Sequence, residues 1–288
     1  MKLDPESLPA RLIARCQIVP EGRAASGTAF VGAPDPVQGA APLPRFATDP
    51  NLEALMQALA LGFGRRHWWP ATHPFEVLVG AILTQNTAWA NVERALENLR
   101  ALDAVRPGTF TPRGLLALPR AITGEPDRFD PQAPEAHAAP TLEALIRPSG
   151  AFRQKAKKLV AAATWLLDIG GWPVLAEAPL DELRASLLEV HGIGPETADS
   201  ILCYAAGRPA VIVDAYARRI LARHGLMPTA LDPRTPYDAV RTWLTERLIP
   251  DQLALEETHA LFVAAGAAHC KPTPRCLDCP VPTPDTLS

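Results

Sequence analysis

The sequence lacks any apolar run of roughly eighteen residues, so no membrane-spanning helix is expected. Its opening, residues 1–20, also lacks the basic start and apolar stretch of a secretory signal, and a cytoplasmic location is the resulting expectation. Cysteine is scarce. Cys16 and Cys203 stand alone, and only Cys270, Cys276 and Cys279 cluster; an odd total of five suits a reducing compartment better than a disulfide framework. A basic excess is missing too. With 28 Lys and Arg against 31 Asp and Glu the formal net charge is −3, whereas nucleic-acid-binding proteins commonly carry positive charge to neutralise phosphates. Any such partner would have to meet a local basic face, and two groups qualify: Arg147, Arg153, Lys155, Lys157 and Lys158, then Arg218, Arg219 and Arg223. No internal repeat occurs.

What is present is enough apolar content, 48% hydrophobic against 20% charged residues over 288 positions, to bury one or two cores. Residues 19–46 are rich in Ala, Gly and Pro without sustained periodicity and read as part of a flexible extension spanning 1–48. A second Pro-rich, acid-dotted stretch at about 120–140 reads as an insertion. The remainder has helical periodicity at 51–64, 74–83, 89–102, 142–146, 152–170, 180–190, 195–206, 215–224, 236–248 and 253–268. The only β-like run, 210–213, is too short and isolated for a sheet, so an all-α fold is expected.

Residues 187–216, LLEVHGIGPETADSILCYAAGRPAVIVDAY, carry the most information. Two apolar-periodic helices are joined by His191, Gly192, Ile193 and Gly194, with Pro195 opening the second, where its fixed φ and missing N–H cost nothing. This is a helix-hairpin-helix signature. Its glycines let the main chain approach a surface closely, and the N–H groups and dipole at the following helix start suit a phosphate. Such contacts position a duplex without reading its bases. Asp214 sits where the apolar run AVIV ends and the helix AYARRILAR begins, a place where an aspartate ordinarily serves as an N-cap.

GIGPETAD followed by VIVDAY resembles the endonuclease III superfamily of helix-hairpin-helix DNA glycosylases, in which an essential aspartate follows the hairpin. Asp214 matches that aspartate. The resemblance implies a carboxylate that stabilises the oxocarbenium-like state of glycosidic cleavage and orients the attacking water. Bifunctional members carry a hairpin lysine as an amine nucleophile, two positions after the second glycine; Glu196 occupies that position here. A carboxylate forms no Schiff base, so the resemblance is to the monofunctional branch. The hairpin residues expected against the DNA backbone are Gly192, Ile193, Gly194 and Glu196.

The segment HWWPATHPFEVLVGAILTQNTAW, residues 67–89, sets the polar group Thr84, Gln85, Asn86 and Thr87 at the end of an apolar helix, among Trp68, Trp69 and Trp89. Polar residues there call for a ligand or a cap, and enzymes acting on a base extrude it and hold it by stacking. The segment resembles the 3-methyladenine DNA glycosylase branch of the same superfamily. That resemblance implies a base pocket of Trp69, Pro70 and Trp89, with Gln85 supporting the flipped nucleotide or filling its gap. An electron-poor alkylated purine suits aromatic walls through cation–π attraction.

Cys270, Cys276 and Cys279 follow a C-x5-C-x2-C pattern close to the family's [4Fe–4S] loop. The fourth position holds Asp285, while a cubane needs four ligands. His269 would complete a Cys3His zinc set, and a degenerate loop without metal is the third reading. Taken together, the resemblance implies a two-lobed all-α glycosylase fold with an interlobe cleft for DNA and base. Its lobes would be residues 73–208, carrying hairpin and insertion, and 49–72 with 209–288. The expected activity is a monofunctional DNA N-glycosylase for an alkylated purine such as 3-methyladenine, acting as a monomer on damaged double-stranded DNA. A bifunctional glycosylase/lyase for oxidised pyrimidines and a non-catalytic DNA-binding module are the alternatives.

Overall fold

The computed structural model describes residues 43–121, 128–134, 140–228, 231 and 234–281. Their helices are α1 (Pro50–Phe63), α2 (Pro74–Leu83), α3 (Trp89–Val105), α4 (Pro112–Ala117), α5 (Leu142–Leu145), α6 (Phe152–Asp168), α7 (Trp172–Glu177), α8 (Leu180–Leu188), α9 (Pro195–Ser200), α10 (Ala215–Arg223), α11 (Tyr237–Thr245) and α12 (Gln252–Ala268). Among the described residues no strand forms, and the single β-bridge joins Ala47 to Leu248. The fold is all-α, as its periodicity predicts. Helices α4 and α7 have six residues each, too few to display a helical period, and both carry proline in the first turn. At 201–205 the helix begun by α9 continues as a π-helical turn, in which Ala206 N–H reaches back to Ile201 O.

The chain divides into two compact units, and residues 70–207 form the first. Its centre is α2, buried at every position because α3, α6, α9 and the π turn all pack on it. Glu76, fully buried on this helix, accepts from the Thr72 backbone N–H and hydroxyl and pairs with Arg100, so its charge is compensated. Of the insertion, residues 122–127 and 135–139 lie outside the described residues. Between them Phe129 is buried.

Residues 43–69 and 208–281 form the second unit. Here α12 is the central element, packed by α1 and α10. Gly266 permits the approach of α10: a Cβ at that position would lie 2.1 Å from Tyr216 Cδ1. Residues 43–48, read from the sequence as the end of an extension, are part of this unit; residues 1–42 lie outside the described residues. Phe46 and Ala47 are fully buried, and their N–H groups both donate to Glu53 Oε2 at 2.8 and 2.7 Å. Burying the Phe46 ring stabilises by about 2 kcal/mol, a gain that six residues without periodicity do not announce.

Candidate DNA-binding and catalytic site

The hairpin turn is built from hydrogen bonds of Val190 N–H to Leu187 O and Ile193 N–H to Val190 O, both 3.0 Å. Ile193 plugs the turn into the core at 5% exposure. Its two glycines serve different needs. Gly192 has φ +81° and lies against Lys158, whose Cγ would be 2.4 Å from an added Cβ. Gly194 is ordinary extended chain, φ −93° and ψ 176°, and an added Cβ would meet nothing within 4 Å. Only Gly192, then, needs the backbone freedom expected of both. Gly194 is exposed at the entrance to α9, as is Glu196 in its first turn.

Gln85 is committed to this turn. Its Nε2 donates to Gly192 O at 3.1 Å and to Thr197 Oγ1 at 3.0 Å, and its Oε1 accepts from Lys158 Nζ at 2.5 Å. The neighbouring polar residues are also satisfied within the unit: Thr84 donates to Ala81 O and Thr87 to Ser149 O. Asn86 is exposed in the left-handed region at φ +53°. Lys155, grouped by sequence with a solvated basic face, is buried and donates to Leu83 O at 2.8 Å and Ser149 O at 2.7 Å. Burial, then the nearby Lys158 charge, pulls its ammonium down to about 8. Its place at the C-terminal carbonyls of α2, where a cation is favoured, supplies what the sequence pattern did not reveal.

Of the aromatic residues, Trp68 and Trp69 form a tilted pair with ring centroids 5.5 Å apart, and Trp69 and Pro70 are half-buried. Trp89 opens α3 and is 7% exposed, which leaves little of its ring accessible. Burial pushes the neighbouring Glu93 carboxyl up, and the Trp89 side chain works against that push.

Asp214 occupies the N-cap of α10. Its Oδ1 accepts from Ala217 N–H at 2.6 Å, while Oδ2 lies 3.9 Å from His259 Nε2, and the side chain is buried. The approach to it, residues 210–213, is buried chain outside any helix, with Val213 N–H donating to the Tyr237 hydroxyl at 3.2 Å. Capping fixes the carboxylate's rotamer and leaves its second oxygen directed elsewhere. His259, which sequence reasoning missed, is itself buried, and burial depresses its pKa to about 4, so its ring is neutral at physiological pH. The available clue was a polar cluster, Glu256 to His259, interrupting the otherwise apolar α12.

The three clustered cysteines follow α12. Cys276 is exposed, and Cys270 and Cys279 are half-buried. Burial, with Cys276 and Cys270 nearby, pushes the Cys279 thiol up against the lowering effect of the Val281 N–H. Among the described residues no three His, Cys, Asp or Glu gather into a metal-holding group. His269, the other donor considered, lies 3.2 Å through Nδ1 from Arg275 O. Asp285 lies outside the described residues. Among the described residues no four ligands of the kind a [4Fe–4S] cluster or tetrahedral zinc needs are gathered. Arginines tie this loop down instead: Arg219 donates to Cys270 O, and Arg223 to Lys271 O, Pro272 O and Cys270 Sγ at 2.6, 2.8 and 3.3 Å.

Known proteins share this architecture. Residues 79–244 match the family described as HhH-GPD superfamily base excision DNA repair protein. A candidate DNA repair glycosylase of Methanocaldococcus jannaschii is 35% identical over 76% of this chain and 88% of its own. Endonuclease III of Thermotoga maritima is 30% identical over 79% and 89%. Among solved structures, the 3-methyladenine DNA glycosylase MagIII of H. pylori, bound to 1,N6-ethenoadenine, superposes with a TM-score of 0.55 at 26% identity, over 75% of this chain and 95% of that one. No described helix is long and apolar enough to cross a membrane. The hairpin, the aspartate that follows it and these matches agree: the chain belongs to the HhH-GPD superfamily of base excision DNA repair proteins.

Proposed function

We propose that this protein is a monofunctional DNA N-glycosylase that hydrolyses the glycosidic bond of a flipped alkylated purine such as 3-methyladenine. The observation that carries the monofunctional assignment is Glu196, exposed in the first turn of α9 where bifunctional relatives place their amine. In this reading Asp214, held by Ala217 N–H through one oxygen, uses the other to stabilise positive charge developing on the sugar and to orient water. Water supplies the nucleophile, so the products are the free base and an abasic site. The exposed backbone around Gly194 meets a phosphate of the duplex. The half-buried Trp69 and Pro70 support the alkylated-purine assignment as stacking surfaces, and MagIII, a relative in fold, is a 3-methyladenine glycosylase.

The bifunctional alternative is favoured by the similarity to endonuclease III of Thermotoga maritima and by Lys158, which brings an ammonium group to Gln85, beside the hairpin. A parallel assay separates the readings. Duplexes with alkylated, deaminated or oxidised bases are incubated with the protein, free base is quantified, and borohydride is added to trap any imine. The proposal expects release from the alkylated duplex without a trapped adduct. Trapping that disappears in Lys158→Gln would replace it with the lyase reading, and absence of any base release would leave a DNA-binding module.

A further inference from the structure

Residues 64–69 lead from α1 to the Trp68–Trp69 pair, and their path is unusual. His67 adopts φ +46°, a left-handed conformation that strains a residue with a Cβ. Such a turn directs successive backbone N–H groups to one side, forming a concavity suited to an anion. Here the anion is internal. Glu257 of α12, 8% exposed, accepts from Arg66 N–H through Oε1 and from His67 N–H at 3.3 Å through Oε2. Burial pushes the Glu257 carboxyl up, and the Arg66 and His67 N–H groups, with His67 and Arg65, work against that push. The Arg66 side chain turns back to Phe63 O at 3.2 Å, closing the strap on the end of α1.

A buried carboxylate is costly unless several donors face it, so a glutamate inside an apolar helix requires a compensating structure. The strap is that structure. It requires the carboxylate in turn, because two converging N–H groups with no acceptor would neither stay desolvated nor hold His67 left-handed. The next residues along the chain are the paired tryptophans, so the turn sets the direction in which the backbone enters them.

We propose that Glu257 is a positioning residue for damaged-base recognition: its bonds to the Arg66 and His67 N–H groups fix the strap and thereby set where Trp68 and Trp69 stand to receive the base. The recognition half of this inference rests on the glycosylase reading above. The positioning half does not.

The experiment uses full-length protein labelled with 5-fluorotryptophan, whose six tryptophans give six 19F resonances; Trp68 and Trp69 are assigned by replacement with Phe. Glu257→Gln keeps the volume and one acceptor oxygen but turns an NH2 group toward the second backbone donor. The Trp68 and Trp69 resonances are expected to move or broaden while the others hold. KM for the alkylated duplex should rise about tenfold with kcat within about twofold, the pattern of lost binding rather than lost chemistry. Unmoved resonances, or moved resonances with an unchanged KM, overturn the proposal. Should the variant fail to fold, amide hydrogen exchange of the wild type decides: the Arg66 and His67 N–H groups should be strongly protected, and exchange at the rate of an unstructured peptide overturns it. Fluorine spectra and exchange need no substrate, so an inactive wild type would refute the glycosylase reading and leave the clamp itself standing or falling on these data.

Discussion

The turn between α8 and α9 and the middle of α12 combine polar groups with apolar surroundings in opposite senses. In the turn, Ile193 faces the core while Gly194 and Glu196 face outward, so what is offered to a ligand is backbone. In α12 the polar residues Glu257, Thr258 and His259 face inward, where Glu257 meets the strap and His259 the aspartate. Backbone contacts tolerate change in neighbouring side chains but demand a local conformation. Side-chain contacts from a long helix demand that distant segments arrive in register.

The largest expected effect lies where these two modes meet in one residue. Asp214→Asn keeps an oxygen to cap α10 and loses the charge, so base release should fall about a thousandfold. Duplex binding by the hairpin should stay within about threefold. Single-turnover base release and anisotropy of a labelled duplex measure the two separately, and a comparable loss in both would make Asp214 a structural cap alone.

The two glycines break the hairpin into conformation and contact. Gly192→Ala should destabilise by about 1–3 kcal/mol in urea denaturation, since it forces a left-handed alanine against Lys158. Gly194→Ala should leave stability within about 0.5 kcal/mol, its backbone being ordinary and its surroundings open. It should nevertheless weaken duplex binding several-fold by holding a phosphate away. Equal stability losses would show that Gly194 serves the fold.

His259 sharpens the α12 side of the comparison. Its folded pKa, about 4, lies below the unfolded 6.5, so between those values the unfolded chain binds more protons. The benefit of burying a neutral ring is complete above pH 6.5 and is lost as pH falls toward 4, at no more than about 1.4 kcal/mol per pH unit. His259→Asn should flatten the fall in melting temperature across that window. An identical pH profile would place the acid sensitivity in other groups.

The smallest effects are expected in the cysteine loop. Cys276→Ser should leave the melting temperature unchanged, and iron and zinc in the purified protein should stay below about one-tenth equivalent per chain, since a tetrahedral or cubane site needs four gathered ligands. Arg223→Ala should cost about 1 kcal/mol through its lost carbonyl contacts. Stoichiometric metal with a visible charge-transfer band would reverse both expectations.

Much of this was legible in the sequence because its determinants are local. The helices α2, α3, α6 and α12 follow from periodicity, and the hairpin from two glycines and a proline at a helix start. Asp214 was legible as a cap and, through the motif around it, as a candidate catalyst. The partners of Gln85, Lys155, Glu257 and His259 were not. Lys155 reads like a solvated cation because its neighbours in sequence are charged, yet it is the last turn of α2, some seventy residues away, that claims it. Residues 43–48 carried too little pattern to declare that Phe46 belongs to a core.

The sequence by itself determined which of the longer segments are helical, where the hairpin turn lies and that Glu196 rather than a lysine follows it, since each depends on residue type and spacing alone. Tertiary structure alone decided which polar side chains are offered to a ligand and which are consumed within the fold. A buried donor or acceptor must find a partner, and which partner is within reach is set by the packing of helices far apart in the chain.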